Sequence, residues 1–157
     1  MTEEKPHIMV VEARFYDDLT DELVKGAMAV LEKAEASFDR VAVPGALEIP
    51  GAIQIALKSM EVRATARKRY DGYVALGCVI RGETSHYEHV CTESIRGLQD
   101  LTLRHTLALG MGILTCDNRE QARVRADTAK GDFGGRAARA CLRMLDVKRH
   151  YRLWPRQ

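Results

Sequence analysis

The segment GCVIRGETSHYEHV, from Gly77 to Val90, restricts the fold of this chain more than any other part of the sequence. It continues a nearly unbroken apolar run that begins at Val74, and such a run is typical of a parallel strand covered by helices on both faces. Arg81-Gly82 ends the run, after which Thr84 and Ser85 are suitable N-cap residues for a helix. The free amide groups at such a helix start attract phosphate. The segment therefore predicts a buried strand, an anion-binding turn and a helix in succession.

His86 follows this turn directly, so an imidazole would lie beside the bound anion. Imidazole is the side chain best suited to carry protons near neutral pH. A histidine that only hydrogen-bonds to its surroundings at a helix start is the more common case. A role for His86 in proton transfer therefore depends on the motif around it.

Length and charge narrow the class of protein. A chain of 157 residues suits one domain, 1–157, with a real hydrophobic core. Its 24 basic and 22 acidic residues are mixed along the sequence, so we expect no nucleic-acid partner. The two dense basic clusters, Arg67-Lys68-Arg69 and Lys148-Arg149-His150, are short and are predicted to be exposed loop or terminus. The longest apolar run is too short to cross a bilayer, so we expect no membrane contact.

The cysteines indicate a reducing environment. The four residues Cys78, Cys91, Cys116 and Cys141 include no Cys-x-x-Cys pair, so disulfide frameworks and zinc ribbons are disfavoured. The start of the chain does not resemble a signal peptide. We therefore expect a cytoplasmic protein.

Strands and helices are predicted to alternate along the chain. The predicted strands cover 8–11, 40–43, 72–80 and 107–116. The predicted helices begin at Asp17-Asp18, after Ile49-Pro50, at about Ser85 (to Arg104), after Asp117-Asn118, and after Gly134-Gly135 (through Leu145). Residues 12–16 are predicted as a loop and 61–70 as an exposed connector. The order predicts an α/β fold: a single-domain, three-layer α/β/α sandwich with a four-stranded parallel sheet, flavodoxin-like.

Four unusual loops each follow a predicted strand, and they cover 13–16, 44–48, 81–86 and 115–118. In a parallel sheet the carboxyl ends of the strands lie at one edge, where ligands bind. The loops are therefore predicted to meet in one site.

Four segments along the chain resemble the lumazine synthase family of riboflavin biosynthesis: EARFYD, VPGALEIP, YDGYVALGCVIRGETSHYEHV and GILTCDNREQA. The resemblance runs from the first strand to the last helix. It implies condensation of 5-amino-6-(D-ribitylamino)uracil with 3,4-dihydroxy-2-butanone 4-phosphate, giving 6,7-dimethyl-8-ribityllumazine, phosphate and water. It implies small-molecule substrates and no cofactor.

The resemblance also implies roles for particular residues. His86 would transfer protons, Phe15 would stack on the pyrimidine ring, and Met111 would cover that ring in a place often held by an aromatic residue. Substrate-binding residues would further include Ala46, Leu47 and Glu48 for the ribityl and pyrimidine groups, the strand-end residues Cys78, Val79 and Ile80 for the uracil edge, and Glu83, Thr84 and Arg125 for the phosphate.

Ordinary structural roles compete with some of these assignments. Phe15 would be a core residue and Arg125 an exposed helical charge on sequence statistics alone. Cys78 is not expected to act as a nucleophile, because this chemistry needs none. Phe133 stands where many family members carry a lysine near the phosphate, and Lys130 is an alternative cation.

The resemblance implies a pocket shared by neighbouring subunits of a five-membered ring. Met111 and Arg125 would then face Phe15 and His86 of the next chain. The segment DTAKGDFGG differs from the stretch associated with shells, so a homopentamer is expected rather than a 60-subunit shell.

Three other functions fit parts of the sequence. A lumazine- or flavin-binding protein without catalysis would keep Phe15, and a flavodoxin-like electron carrier would share the sheet. A metal site could use His86, Glu88, His89 and Glu93, although their spacing does not supply a convincing third ligand.

Overall fold

The computed structural model describes residues 3–63 and 69–155. Its strands are β1 (His7–Ala13), β2 (Ser37–Val43), β3 (Gly72–Ile80) and β4 (Leu109–Cys116). Its α-helices are α1 (Asp17–Lys33), α2 (Ile49–Val62), α3 (His86–His105), α4 (Arg119–Ala126) and α5 (Phe133–His150), and a short 3₁₀ helix covers Ala46–Glu48. Strands and helices alternate along the chain, as the sequence predicts.

The four strands form one parallel sheet in the order β2-β1-β3-β4. Alternate side chains of β1 enter two separate cores: Ile8 and Val10 pack with α1, α4 and α5, whereas Met9 and Val11 pack with α2 and α3. The sheet is therefore the middle of three layers. The predicted α/β/α sandwich with a four-stranded parallel sheet is confirmed.

The first strand is longer than predicted, and the loop predicted for residues 12–16 is correspondingly shorter. Glu12 and Ala13 continue β1, and the carboxylate of Glu12 lies almost completely buried there. The guanidinium groups of Arg40 and Arg14 donate hydrogen bonds to this carboxylate. A charge paired in this way can be buried within a strand. The partners come from other parts of the chain, so local hydrophobicity does not reveal the extension.

The prediction that Gly134-Gly135 separates two helices is wrong. Both glycines lie in the first turn of α5, whose N-cap residue Asp132 accepts a hydrogen bond from the amide of Gly135 at 3.2 Å. A Cβ atom on Gly134 would lie 1.9 Å from the carbonyl oxygen of Leu23 in α1. The glycine therefore permits close contact between two helix backbones and does not end a helix.

The last helix also continues past Leu145, to His150. The basic cluster from Lys148 to His150 is thus a helical turn, not a loop, and Lys148 Nζ donates to the carbonyl oxygen of Thr106 at 2.9 Å. Of the predicted connector 61–70, Glu61 and Val62 belong to α2. Residues 64–68, which include most of the other basic cluster, lie outside the described residues.

The remaining boundaries differ from the predictions by a few residues. β2 begins at Ser37 and not at residue 40, and β4 begins at Leu109 and not at residue 107. The predicted start of α4 is confirmed, because Asn118 is its N-cap and Oδ1 accepts from the amide of Gln121 at 2.9 Å. Among the described helices, none has the length and apolarity needed to span a membrane.

Candidate active site

A cleft of about 440 Å³ lies at the carboxyl ends of β1, β2 and β3. Three of the four predicted loops and the end of β3 line it. The predicted site residues found on its walls are Phe15, Ala46, Leu47, Glu48, Cys78, Val79, Ile80, Thr84 and His86. The parallel sheet thus brings together residues that are far apart in the sequence.

His86 is the first residue of α3 and lines the cleft. Ser85 is the N-cap residue, as predicted, but within the described structure its side chain makes no capping hydrogen bond. The hydroxyl of Thr84 instead accepts from the amide of His86, at a long 3.4 Å. The start of α3 is therefore weakly capped, which suits a helix end that meets an anion.

Phe15 follows β1 and is 72% exposed, so it is not a core residue in this chain. Its ring contacts Tyr16 edge-on, with 4.9 Å between the ring centres, and both rings line the cleft. An exposed aromatic ring at the rim of a cleft can stack against a flat heterocycle.

The segment after β2 forms another wall of the cleft. Pro44 and Gly45 lead into the 3₁₀ helix, in which Ala46 is buried and Leu47 is half exposed. Glu48 supplies a carboxylate in an otherwise apolar part of the lining. A carboxylate can accept hydrogen bonds from hydroxyl groups of a ligand.

The end of β3 brings main-chain groups and one thiol to the cleft. Cys78 is buried, and this burial raises the pKa of its thiol to about 12. The reactive form of cysteine is the thiolate, so a raised pKa keeps Cys78 unreactive at neutral pH. The geometry agrees with a packing role for this side chain.

Three of the predicted site residues are not on the walls of this cleft. Among residues 3–63 and 69–155, the cleft lining does not include Glu83, Met111 or Arg125. Met111 is 43% exposed on edge strand β4, and its Sδ accepts from the amide of Ile113 at 3.2 Å. Arg125 lies on α4, where an Nη atom donates to the carbonyl oxygen of Gln121 at 3.0 Å. A cleft within one chain therefore does not use Met111 or Arg125.

Residues 5–149 match the family described as 6,7-dimethyl-8-ribityllumazine synthase. The chain belongs to this family. It is 52% identical over 147 residues to the 6,7-dimethyl-8-ribityllumazine synthase of Bartonella tribocorum, covering 94% of this chain and 93% of the relative. It is 49% identical over 142 residues to the synthase of that name from Paramagnetospirillum magneticum, covering 90% of this chain and 94% of the relative. It is 53% identical over 149 residues to 6,7-dimethyl-8-ribityllumazine synthase 1 of Rhizobium meliloti, covering 94% of this chain and 95% of the relative. The resemblance stated from the sequence motifs is confirmed.

Two aromatic residues of this lumazine synthase family member were not named as substrate-binding residues from the sequence. Tyr16 and Tyr87 both line the cleft. Tyr87 is the second residue of α3, and partial burial raises the pKa of its phenol. Their positions next to Phe15 and His86 were the available signal, but sequence spacing does not tell whether both of two neighbouring side chains line a cleft.

Phe133, which the family resemblance predicts to stand in place of a lysine, lies beside an arginine. Phe133 is the first residue of α5, and the guanidinium of Arg136 lies 4.8 Å from the centre of its ring. Arg136 thus places a cation beside Phe133.

A metal centre finds no support in the part of the chain that the structure describes, where no group of three or more His, Cys, Asp or Glu side chains could hold an ion. Glu88 and Glu93, two of the residues considered for such a site, form ion pairs with Arg81 and Arg96. Their carboxylates already have cationic partners.

Proposed function

We propose that this chain is a 6,7-dimethyl-8-ribityllumazine synthase. It condenses 5-amino-6-(D-ribitylamino)uracil with 3,4-dihydroxy-2-butanone 4-phosphate and releases phosphate and water. Membership of the family supports the reaction. The observation that carries the proposal is that the exposed ring of Phe15 and the imidazole of His86 line the same cleft, at the carboxyl edge of the sheet.

The reaction suits a site that positions two substrates and moves protons. The amine of the pyrimidine attacks the ketone and loses water to form an imine, phosphate is then eliminated, and ring closure releases a second water. Holding both substrates in one cleft supplies most of the rate increase. His86 transfers protons in these steps, and such a group contributes about 10²–10⁴-fold.

Different parts of the cleft bind different parts of the two substrates. Phe15 stacks on the pyrimidine, residues 46–48 and the end of β3 bind its polar edge and the ribityl chain, and the turn at Glu83 and Thr84 binds phosphate. The weak cap of α3 supports the last assignment, because an anion can then accept from its first amide groups. In this assignment Glu83 contributes its backbone, since its carboxylate would repel phosphate.

The complete site includes a neighbouring subunit. Met111 and Arg125 lie outside the cleft of their own chain, and we assign them to the cleft of the next protomer in a closed ring. Arg125 there binds the substrate phosphate as a forked donor. We propose a homopentamer, not a 60-subunit shell, because the DTAKGDFGG segment departs from the shell-associated sequence. The free thiols of all four cysteines suit the reducing cytoplasm.

A two-substrate assay combined with light scattering tests this proposal. Product formation, followed by its absorbance, should require both substrates and exceed a protein-free control, and the particle mass should equal that of a pentamer. Tight binding of the lumazine without turnover would identify a carrier instead. Copurified flavin mononucleotide with a reversible redox signal would identify an electron carrier.

A further inference from the structure

Arg81 joins three parts of the chain at the edge of the candidate site. Its Nε donates to Oδ1 of Asp117 at 3.0 Å, and an Nη atom donates to the carboxylate of Glu88. Its guanidinium also lies over the ring of Tyr87, 4.4 Å from the ring centre. Asp117 belongs to the loop after β4, whereas Tyr87 and Glu88 belong to the first turn of α3. One side chain therefore holds the start of α3 against the neighbouring loop.

The segment between these contacts is the turn that carries the proposed phosphate site. It runs from Gly82 to Ser85 and leads directly to His86. Both ends of the turn are fixed through Arg81, since its amide donates to the carbonyl oxygen of Cys116 at 2.9 Å while its guanidinium contacts α3. The turn itself has a long hydrogen bond from the amide of His86 to Thr84 and no capping bond from the Ser85 side chain within the described structure.

We propose that Arg81 is a positioning residue of the synthase, a clamp that sets the distance between the phosphate-binding turn and His86. This inference rests on the proposed function. A displacement of about 1 Å between bound groups can cost about 100-fold in rate, so a clamp at this place affects substrate use.

An alternative role for Arg81, direct binding of the substrate phosphate, fits the contacts less well. Two carboxylates already share its single positive charge, and the Tyr87 ring covers one face of the guanidinium. A phosphate approaching these groups would meet the negative charges of Glu88 and Asp117. The contacts therefore favour a structural support for the turn over a ligand for the anion.

The main test compares Arg81→Ala with Arg96→Ala. Arg96 is a matched control because it is also an exposed arginine that joins two carboxylates, Glu93 and Asp100, but it does so along α3 alone. Arg81→Ala should raise the KM for the butanone phosphate by about tenfold or more and leave the KM for the pyrimidine within about twofold. Arg96→Ala should change neither. An equal rise in both constants, or no rise, overturns the proposal.

Asp117→Ala separates positioning from direct binding by the sign of its effect. If Arg81 positions the turn, loss of Asp117 loosens the clamp and raises the KM for the phosphate substrate. The double variant should then be no worse than Arg81→Ala, because the two residues act through one contact. If Arg81 binds phosphate, release from Asp117 should lower that KM. This second outcome overturns the proposal.

Hydrogen exchange provides a readout that does not depend on turnover. In Arg81→Ala the amide groups of residues 82–88 should exchange faster than in the unmodified protein, and in Arg96→Ala they should not. Unchanged amide exchange at this turn in Arg81→Ala would overturn the proposed clamp, whatever the enzymatic activity of the variant. Faster exchange in a protein that makes no lumazine would keep the clamp and reject the proposed function.

Discussion

The carboxylate of Glu12 in the central strand β1 accepts two hydrogen bonds from Arg40 in the edge strand β2, from Nε at 2.8 Å and from an Nη atom at 2.9 Å. Glu12 is only 5% exposed, and Arg14 donates a further bond to it at 3.2 Å. Arg40→Ala should lower the free energy of unfolding by about 1–2 kcal/mol, because it leaves a buried carboxylate with one cation in place of two. The loss is below that of a fully buried pair because Arg40 is partly in water and Arg14 remains.

Chemical denaturation measures this loss, with Lys58→Ala as the control. Lys58 pairs with Glu61 at 3.3 Å, but both side chains are exposed on α2, so its removal should change stability by less than about 0.5 kcal/mol. Equal stability of the two variants would show that the Glu12–Arg40 contact does not hold the edge strand.

His86→Ala should reduce kcat by about 10- to 100-fold, because it removes the proposed proton carrier, which water replaces in part. His89 is the control, since it is exposed on the same helix and is not among the residues that line the cleft in the described structure. Steady-state rates at saturating concentrations of both substrates measure the effect. A full rate in His86→Ala would remove its assigned role, and an equal loss in His89→Ala would point to damage of α3.

Prediction from sequence succeeded where local pattern and tertiary environment agree. The apolar run of β3 and the motif after it locate the strand, the turn and the start of α3, because a strand covered on both faces needs little information from elsewhere. The extension of β1 to Glu12 depends on Arg40, and the helical role of Gly134 depends on the approach of Leu23. Neither partner is near in sequence, so periodicity alone could not reveal these features.

The site residues that could be predicted are those that directly follow a strand. Phe15, residues 46–48 and His86 follow strands, and the parallel sheet brings strand ends to one edge. Tyr16 and Tyr87 were not named as substrate-binding residues, because the direction of a side chain in a loop or in the first turn of a helix depends on local backbone geometry. The place of Arg125 follows from the family resemblance and stays a prediction, because α4 does not reach the cleft of its own chain.

Two defective variants should restore activity to each other if the site is shared between subunits. Arg125→Ala should raise the KM for the butanone phosphate much more than that for the pyrimidine, because it removes a charge-assisted contact. If each site takes His86 from one chain and Arg125 from the next, a ring of mixed His86→Ala and Arg125→Ala chains should have about a quarter of its sites in native form. Co-expression with two different purification tags permits the measurement.

The control for this mixing experiment is Arg123→Ala, which removes another exposed arginine of α4 and should leave activity unchanged. Activity of the mixed rings equal to the mean of the two separate variants would mean that His86 and Arg125 do not act in one shared site.

Cys78 should resist alkylation in the folded protein. Burial disfavours its charged thiolate and raises its pKa to about 12, so at pH 8 about one thiol in 10⁴ is in the reactive form. Iodoacetamide should therefore label the more accessible Cys91 first, and labelling of Cys78 should rise about tenfold for each unit of pH. Peptide mass spectrometry measures both rates. Rapid labelling of Cys78 at pH 8, or loss of turnover in Cys78→Ala, would argue against a packing role.

The close packing of α5 on the sheet should make Gly110 far more sensitive to substitution than Gly51. A Cβ atom at Gly110 in β4 would lie 1.7 Å from the carbonyl oxygen of Ala137, and the obstacle is helix backbone, which a rotamer change cannot move. Gly110→Ala should therefore cost about 3 kcal/mol or more in the free energy of unfolding. At Gly51 in α2 a Cβ atom would meet nothing within 4 Å among the described residues, so Gly51→Ala should stabilise by about 0.5 kcal/mol through helix propensity. Denaturation midpoints measure both changes. Shifts of the two midpoints in the same direction and by similar amounts would show that Ala137 does not restrict the space at Gly110.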